Sequence, residues 1–384
     1  MAEEERQPPS SPRRGSWFFY HGWALIILAA AAPRGASRRL SSSPAGCDLF
    51  RGRWVADESY PLYDASSCPF VPAMFDCRRN GRPDAAYLKL RWSPAGCRLP
   101  RFDGAAFLRR WRGKRVVFVG DSLSMNQWAS LACMLHAAVP PPARVKFTRA
   151  AGELVNSVHF EDYDVTVTAH YTRFLVDVVK EDIGRVLKLG SIGDTSPWRH
   201  AARRADLLVF DTWHWWTYRG AGQEWEYVQD GNSTYRDMDR VAAFSKGLST
   251  WARWVDANID ASRTRVFFQG ISPSHPMWNG HEVEGGRAGT PAGGCYRQTR
   301  PLPESGSGSR RMLPEEAAVR EVIGAMSTPV SLLDITALSQ LRIDGHPSVY
   351  GAGEPPHRRG MDCTHWCVAG VPDAWNQIMY AMLL

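Results

Sequence analysis

Arg115-Val116-Val117-Phe118-Val119-Gly120-Asp121-Ser122 decides how the chain is read. A β-branched run stops at Gly-Asp-Ser, and Leu123 to His136 then carries Trp128, Leu131 and Leu135 at offsets of three and four. The pattern predicts a strand, a tight turn and a helix. It puts Ser122 at the carboxyl end of a buried strand and in the first turn of a helix. Backbone N–H groups of a helix start lie beside a hydroxyl so placed, and they can hold an oxyanion as a carbonyl is attacked. Gly120 and Asp121 join Ser122 as candidates on that ground. Gly-Asp-Ser is equally an ordinary helix N-cap, since both polar side chains accept from those N–H groups. Chemistry at Ser122 therefore needs a base, and Asp362-Cys363-Thr364-His365 offers one far along the chain.

Outward from this stretch, apolar β-rich runs recur at Asp164–Thr168, Phe174–Val179, Asp206–Phe210, Arg265–Gly270 and Pro329–Asp334. Helical spacing marks about Met238 to Ile259 and Pro314 to Met326, the second with Pro in its first turn. Val371-Pro372-Asp373 reads as the start of a last helix. Strands alternating with helices predict an α/β domain whose mainly parallel sheet is covered on both faces. Ligands of such sheets bind at the strands' carboxyl ends, which Gly120, Asp211, Gly270 and Asp334 follow. Gly280 to Gly308, rich in Gly, Pro and Ser, reads as a long surface loop tied through Cys295.

Residues 47–112 differ in kind. They hold Cys47, Cys68, Cys77 and Cys97 among Pro and Gly, with few periodic runs. Short loops held by cystines are the natural reading, as a Cys-rich subdomain preceding a catalytic domain at 113–384. A zinc module is disfavoured because no Cys-x-x-Cys pair occurs, and no metal is expected. Residues 1–16, charged and rich in Pro and Ser, read as a cytosolic tail. Trp17 to Ala32 is the one long apolar run. It is shorter than the ~20 residues of a typical spanning helix, and reads as a signal anchor or a signal peptide. Residues 33–46 form a stem. Eight cysteines, and the glycosylation acceptor Asn232-Ser233-Thr234, agree with passage into an oxidising lumen.

The net charge of +7 is diffuse; the first 46 residues carry +3 of it. No basic stripe with interleaved aromatics appears, so nucleic acid is not an expected partner. Sixteen Trp suggest aromatic surfaces of the kind that carbohydrate clefts use, or a core rich in indoles. Trp213, Trp215 and Trp216 are the substrate-facing candidates.

His365 can take the Ser122 proton and return it, and Asp362 can fix its tautomer. Cys363 and Cys367 can pin the loop that carries it.

These stretches resemble the plant trichome-birefringence-like family. The resemblance lies in Gly120-Asp121-Ser122 followed by Asn126-Gln127-Trp128 and Ser130-Leu131-Ala132-Cys133. It lies also in Asp362-Cys363-x-His365-Trp366-Cys367 with Gly370-Val371-Pro372-Asp373-x-Trp375-Asn376, in Cys47-Asp48 with Gly52-x-Trp54-Val55, and in Asp211 to Trp216. It covers about residues 47–384. The resemblance implies an α/β/α sandwich like that of SGNH/GDSL esterases, and O-acetyl transfer to a wall polysaccharide, xylan above all, with mannan, xyloglucan and pectin as other acceptors. It implies Ser122 as nucleophile, His365 as base and Asp362 as its partner, with Asn126 a further oxyanion or substrate candidate. It implies a type II Golgi membrane protein with a lumenal catalytic domain, the alternative being secretion to the wall. It implies the pairs Cys47–Cys97, Cys68–Cys133, Cys77–Cys367 and Cys295–Cys363, which spacing alone leaves open among 105 arrangements.

Two positions depart from the family's pattern. Met125 stands where Arg is common. Asp211 stands where Asn is common, and an ionised Asp would repel an oxyanion that Asn could bind; ordering of the Trp213–Trp216 loop is its other reading. An acetyl donor is required, acetyl-CoA or an acetylated carrier, but no Gly-rich loop marks a site for it. The same triad could instead hydrolyse acetyl groups of pectin or xylan, and a binding protein without catalysis is the third reading.

Overall fold

The computed structural model describes residues 47–139, 141, 143–150, 154–193, 196–275, 294–303, 311–351 and 361–384. The expected tail (1–16), signal segment (17–32) and stem (33–46) lie outside the described residues, as does most of the Gly280–Gly308 loop. Among the described residues no helix is long and apolar enough to cross a membrane.

The chain opens with an antiparallel pair, β1 (Gly52–Ala56) and β2 (Leu90–Pro94), and a short helix α1 (Gly104–Arg110). The expected strand, turn and helix follow as β3 (Arg115–Gly120) and α2 (Ser122–His136). Then come β4 (Val145–Ala150), β5 (Val155–Phe160), β6 (Val165–Tyr171), β7 (Asp177–Glu181) and β8 (Gly184–Lys188). After α3 (Trp198–Ala202) and β9 (Leu207–Phe210) lie β10 (Tyr227–Asp230), β11 (Ser233–Tyr235) and α4 (Arg240–Asn258). The last part is β12 (Arg265–Gln269), α5 (Pro314–Ala325), β13 (Val330–Leu333), α6 (Thr336–Gln340) and α7 (Val371–Leu383).

The main sheet has seven strands in the order β13-β12-β9-β3-β6-β5-β4. β13, β12, β9, β3 and β6 are parallel, and β5 and β4 extend them antiparallel. Successive residues of a strand face opposite sides, and here they feed two cores. Val116 and Phe118 pack with α2 and α7, together with Leu207, Val209 and Phe267. Val117 and Val119 pack on the other face with α3, α4 and α5, together with Leu208, Phe210 and Phe268. This is the three-layer α/β/α arrangement of the SGNH type, with a mainly parallel sheet.

The structure departs from the sequence reading in its second sheet. Phe174, Leu175 and Val176 are buried but not in a strand. They cross from the main sheet to a four-stranded sheet of order β11-β10-β8-β7 that packs on the second core.

Residues 47–112 do not form a core of their own. Leu49, Tyr63, Phe70, Phe75 and Trp92 share the first core with α2 and α7. All eight cysteines are in disulfides, Cys47–Cys97, Cys68–Cys133, Cys77–Cys367 and Cys295–Cys363, the pairs that the family resemblance implied. Two of the four tie this N-terminal region to later elements.

A buried polar seam sets α7 against α2. Asn376 Nδ2 donates to Gln127 O at 3.0 Å and to Ser130 Oγ at 2.9 Å. Ser130 Oγ donates to Asp373 Oδ1 at 2.6 Å, and Tyr63 donates to the same oxygen at 3.0 Å. Buried polar groups are held only where such partners exist, so the seam fixes one relative placement of the two helices.

Candidate active site

β3 ends at Gly120 because the chain there must pass close to the end of β9. A Cβ on Gly120 would stand 2.5 Å from Asp211 O and 2.8 Å from Ser124 Cβ. Asp121 is the N-cap of α2, its Oδ1 accepting from Leu123 N–H at 2.8 Å. Ser122 is the first helical residue, beside the positive end of the helix dipole.

The base arrives from the opposite end of the chain. His365 Nε2 lies 2.7 Å from Ser122 Oγ, across 243 residues of sequence. Its Nδ1 lies 2.8 Å from Asp362 Oδ2. Asp362 Oδ1 accepts from the backbone N–H groups of Thr364, at 3.1 Å, and His365, at 3.0 Å. The carboxylate therefore folds the short segment back on itself and orients the ring in one motif. Burial pushes the Asp362 carboxyl up, but the hydrogen bonds and charge of His365 outweigh it. The carboxyl is held well below the usual range and is ionised at neutral pH. With Nδ1–H donating to Asp362, Nε2 is the acceptor for the Ser122 proton.

Five supports hold the His365 segment. Cys363 is bonded to Cys295 and Cys367 to Cys77. Asn126, from the second turn of α2, accepts Trp366 N–H and donates to Trp366 O, both at 2.9 Å. His346 donates from Nδ1 to His365 O at 2.6 Å and stacks on Trp366, centroids 4.0 Å apart. The Phe75 ring lies 5.4 Å from that of His365, and Phe75 O accepts Val368 N–H at 3.0 Å.

An activated serine at a helix start, with a histidine and an oriented carboxylate, can take an acyl group and pass it on. The comparisons agree with that chemistry. The model of the GDSL/SGNH-like acyl-esterase family found in Pmr5 and Cas1p matches residues 99–382. The chain belongs to this family. The PMR5 N-terminal domain matches residues 45–98. The Arabidopsis thaliana protein trichome birefringence-like 38 is 51% identical over 351 residues, 91% of this chain and 86% of the relative. Trichome birefringence-like 41 of the same plant is 48% identical over 343 residues, 89% of this chain and 91% of the relative. Trichome birefringence-like 6 is 40% identical over 364 residues, covering 91% and 73%. The protein is thus an enzyme of the acyl-transferring or acyl-ester-cleaving type.

The other site residues of this acyl-esterase family member fall into place unevenly. Asn126 is wholly buried, and its amide both accepts from Trp366 N–H and donates to Trp366 O, which ties it to the peptide that follows His365. It positions His365. Trp216 is 1% exposed, packed on Phe174 and Phe244, with Nε1 donating to Thr212 Oγ1 at 2.9 Å; it belongs to the core and not to a substrate platform. Trp213 packs on Phe244 and Trp215 lies under the Arg173 guanidinium, 4.4 Å from the ring centre; both are half-buried. No Trp among the described residues is exposed, so the indoles serve mainly as core. Asp211 is buried with its carboxyl turned to Asp121. Met125 Sδ accepts from Asn156 Nδ2 at 3.7 Å. Asn232 stands exposed at the turn between β10 and β11.

Sequence reading passed over His214 and Tyr218. His214 Nε2 and the Tyr218 hydroxyl are 3.0 Å apart, and His214 feels the charges of Asp121, His365 and Asp362. Burial pushes this imidazole below its ordinary range, so it faces the site uncharged at neutral pH. The signal lies in Asp211-Thr212-Trp213-His214, where an imidazole stands among indoles.

Proposed function

We propose that this protein is an O-acetyltransferase that places acetyl groups on hydroxyls of a plant cell-wall polysaccharide, with the 2-O and 3-O positions of xylan favoured. The observation that carries the reading is the line from Asp362 through His365 to Ser122, 2.8 Å and then 2.7 Å, in a chain of an acyl-esterase family. Ser122 Oγ attacks the acetyl carbonyl of the donor while its proton passes to His365 Nε2. The donor's leaving group departs with that proton, and an acetyl-serine forms. A sugar hydroxyl then attacks the acetyl carbonyl. Its proton goes to His365 and returns to Ser122 Oγ as the serine ester breaks. Asp362 stabilises the imidazolium that forms on His365 in both steps and is not itself protonated.

The donor, acetyl-CoA or an acetylated carrier, is a co-substrate. The proposed setting is the Golgi lumen, with the N-terminal segment as anchor. Four disulfides and the exposed Asn232 acceptor support a lumenal location. The same acetyl-serine met by water would make the protein an esterase, and the assay separates the two. Purified protein is incubated with acetyl donor and a panel of deacetylated wall glycans, beside the same glycans acetylated. Transfer to xylan and an acetyl adduct on Ser122 by mass spectrometry are expected, both absent in Ser122→Ala. Release of acetate without transfer, or an active Ser122→Ala variant, overturns the reading.

A further inference from the structure

Two buried carboxyls lie under the turn that carries Ser122, and the proposed reaction uses neither. Asp121 is 1% exposed and Asp211 3% exposed. Asp121 Oδ1 is taken by Leu123 N–H. One oxygen on each residue, Asp121 Oδ2 and Asp211 Oδ2, is left without a donor. The Asp211 side chain lies against this turn: a Cβ on Gly120 would stand 2.9 Å from Asp211 Cβ, and the Asp121 charge acts on the Asp211 carboxyl. Neither is in an ion pair among the described residues, and the charged group facing Asp211 is Asp121 itself.

Two ionised carboxylates cannot be held so close, away from water and without a cation. One proton between them removes the repulsion and satisfies both unpartnered oxygens. We infer that Asp121 and Asp211 share a single proton across their Oδ2 atoms, and that this acid–carboxylate pair is the positioning device that holds the Ser122 turn. Asp121 is the anionic member, because its Oδ1 caps α2 at the positive end of the helix. Asp211 is the acid. Its carboxyl is pushed well above the usual range, first by burial, then by the Asp121 charge and the bond to it. From the end of β9, Asp211 thus holds the turn through the Asp121 carboxyl.

Loss of the shared proton puts a second negative charge beneath the attacking oxygen and breaks that hold. Activity then falls on the alkaline side. The groups around the pair do not account for such a fall. His365 acts as the base, a role that losing a proton does not disable, and His214 is already neutral. Asp362 is ionised throughout. Tyr171 from β6 and Tyr218 after β9 both feel the Asp121 charge, and burial raises each phenol above its ordinary range. Arg173 is bound to Glu224 at 3.1 Å.

The test is difference infrared spectroscopy on the purified full-length protein at about pH 8, well above the titration of an ordinary carboxyl. The wild type is expected to show the carbonyl stretch of a protonated carboxylic acid that Asp211→Asn removes. The Asn amide donates to Asp121 Oδ2 without titrating. In the activity assay the wild type is expected to fall about tenfold per pH unit above the pair's titration, and Asp211→Asn to stay level there. Asp211→Ala is expected to lower both activity and melting temperature, with Asp211→Asn restoring them. A spectrum with no acid band sensitive to Asp211→Asn overturns the shared proton. An Asn variant as poor as the Ala variant overturns the grip. The inference assumes that Ser122 is the reacting group, but the infrared result stands whatever reaction the protein catalyses.

Discussion

The Asn126 side chain and the Trp366 backbone exchange two hydrogen bonds of 2.9 Å, so an amide on α2 holds the peptide that follows His365. Ser122 is one helical turn before Asn126, so a single helix carries the hydroxyl and also fixes the residue beside its base. Asn126→Ala leaves a buried N–H and a buried C=O at Trp366 without partners, at about 1–3 kcal/mol for each. A shift of His365 by about 1 Å costs on the order of a hundredfold in rate. The expected outcome is a lower melting temperature with kcat falling further than stability alone explains. Thermal unfolding and steady-state kinetics on one preparation check it, and unchanged kcat would count against the role.

Asp362→Asn separates orientation from folding. The new side chain keeps an oxygen for the N–H groups of Thr364 and His365, so the segment folds as before. Its NH2 then faces His365 Nδ1 and imposes the wrong tautomer. Ser122 loses its acceptor, and kcat is expected to fall on the order of 10⁴-fold with little change in melting temperature. Equal loss in both measurements would mean that Asp362 serves the fold instead.

Asp373 gives a pH signature remote from the site. It is buried between α2 and α7, and burial raises its carboxyl to about 6 despite bonds from Ser130, Gly370 and Tyr63. A folded-state value above the unfolded one gives stability that is complete below the unfolded value, about 3.9, and that is lost as pH rises through about 6. The two-unit difference corresponds to about 3 kcal/mol. Melting temperature followed from acid to neutral pH should decline over this window more steeply in the wild type than in Asp373→Asn. Parallel curves would remove Asp373 as the cause.

Strand, turn and helix around Ser122 were legible because each rests on local pattern: a β-branched run, small residues at a tight turn, apolar spacing on a helix. The antiparallel extension was not. β4 reads Val-Lys-Phe-Thr-Arg-Ala, an edge strand largely exposed, with too little alternation to stand out. The second sheet was hidden for the same reason: its strands are three to five residues long and gain their order from pairing across the chain. In the site, Ser122, Asp362 and His365 could be named from residue type, but their meeting depends on the seam between α2 and α7. The backbone bonds of Asn126 and the burial of Trp216 have no signature in sequence, because an amide or an indole looks the same there whether it faces substrate or backbone. What decides is burial, and burial is a property of the packed chain.

The last expectation concerns the disulfide Cys77–Cys367, which ties the loops of residues 47–112 to the segment just after His365. Replacing both cysteines by Ser removes a constraint spanning 290 residues, typically about 2–5 kcal/mol. The released segment is still held by Cys295–Cys363 on its other flank and by Asn126, so the Ser122–His365 contact is loosened and not abolished. Cys77→Ser/Cys367→Ser should therefore unfold at lower temperature and lose activity at temperatures below that transition. Cys47→Ser/Cys97→Ser, which removes a bond within the N-terminal region, should lower stability without that early loss. Activity and unfolding measured across the same temperature series for both variants decide the matter: coincident loss in both would show that the N-terminal region acts on stability alone.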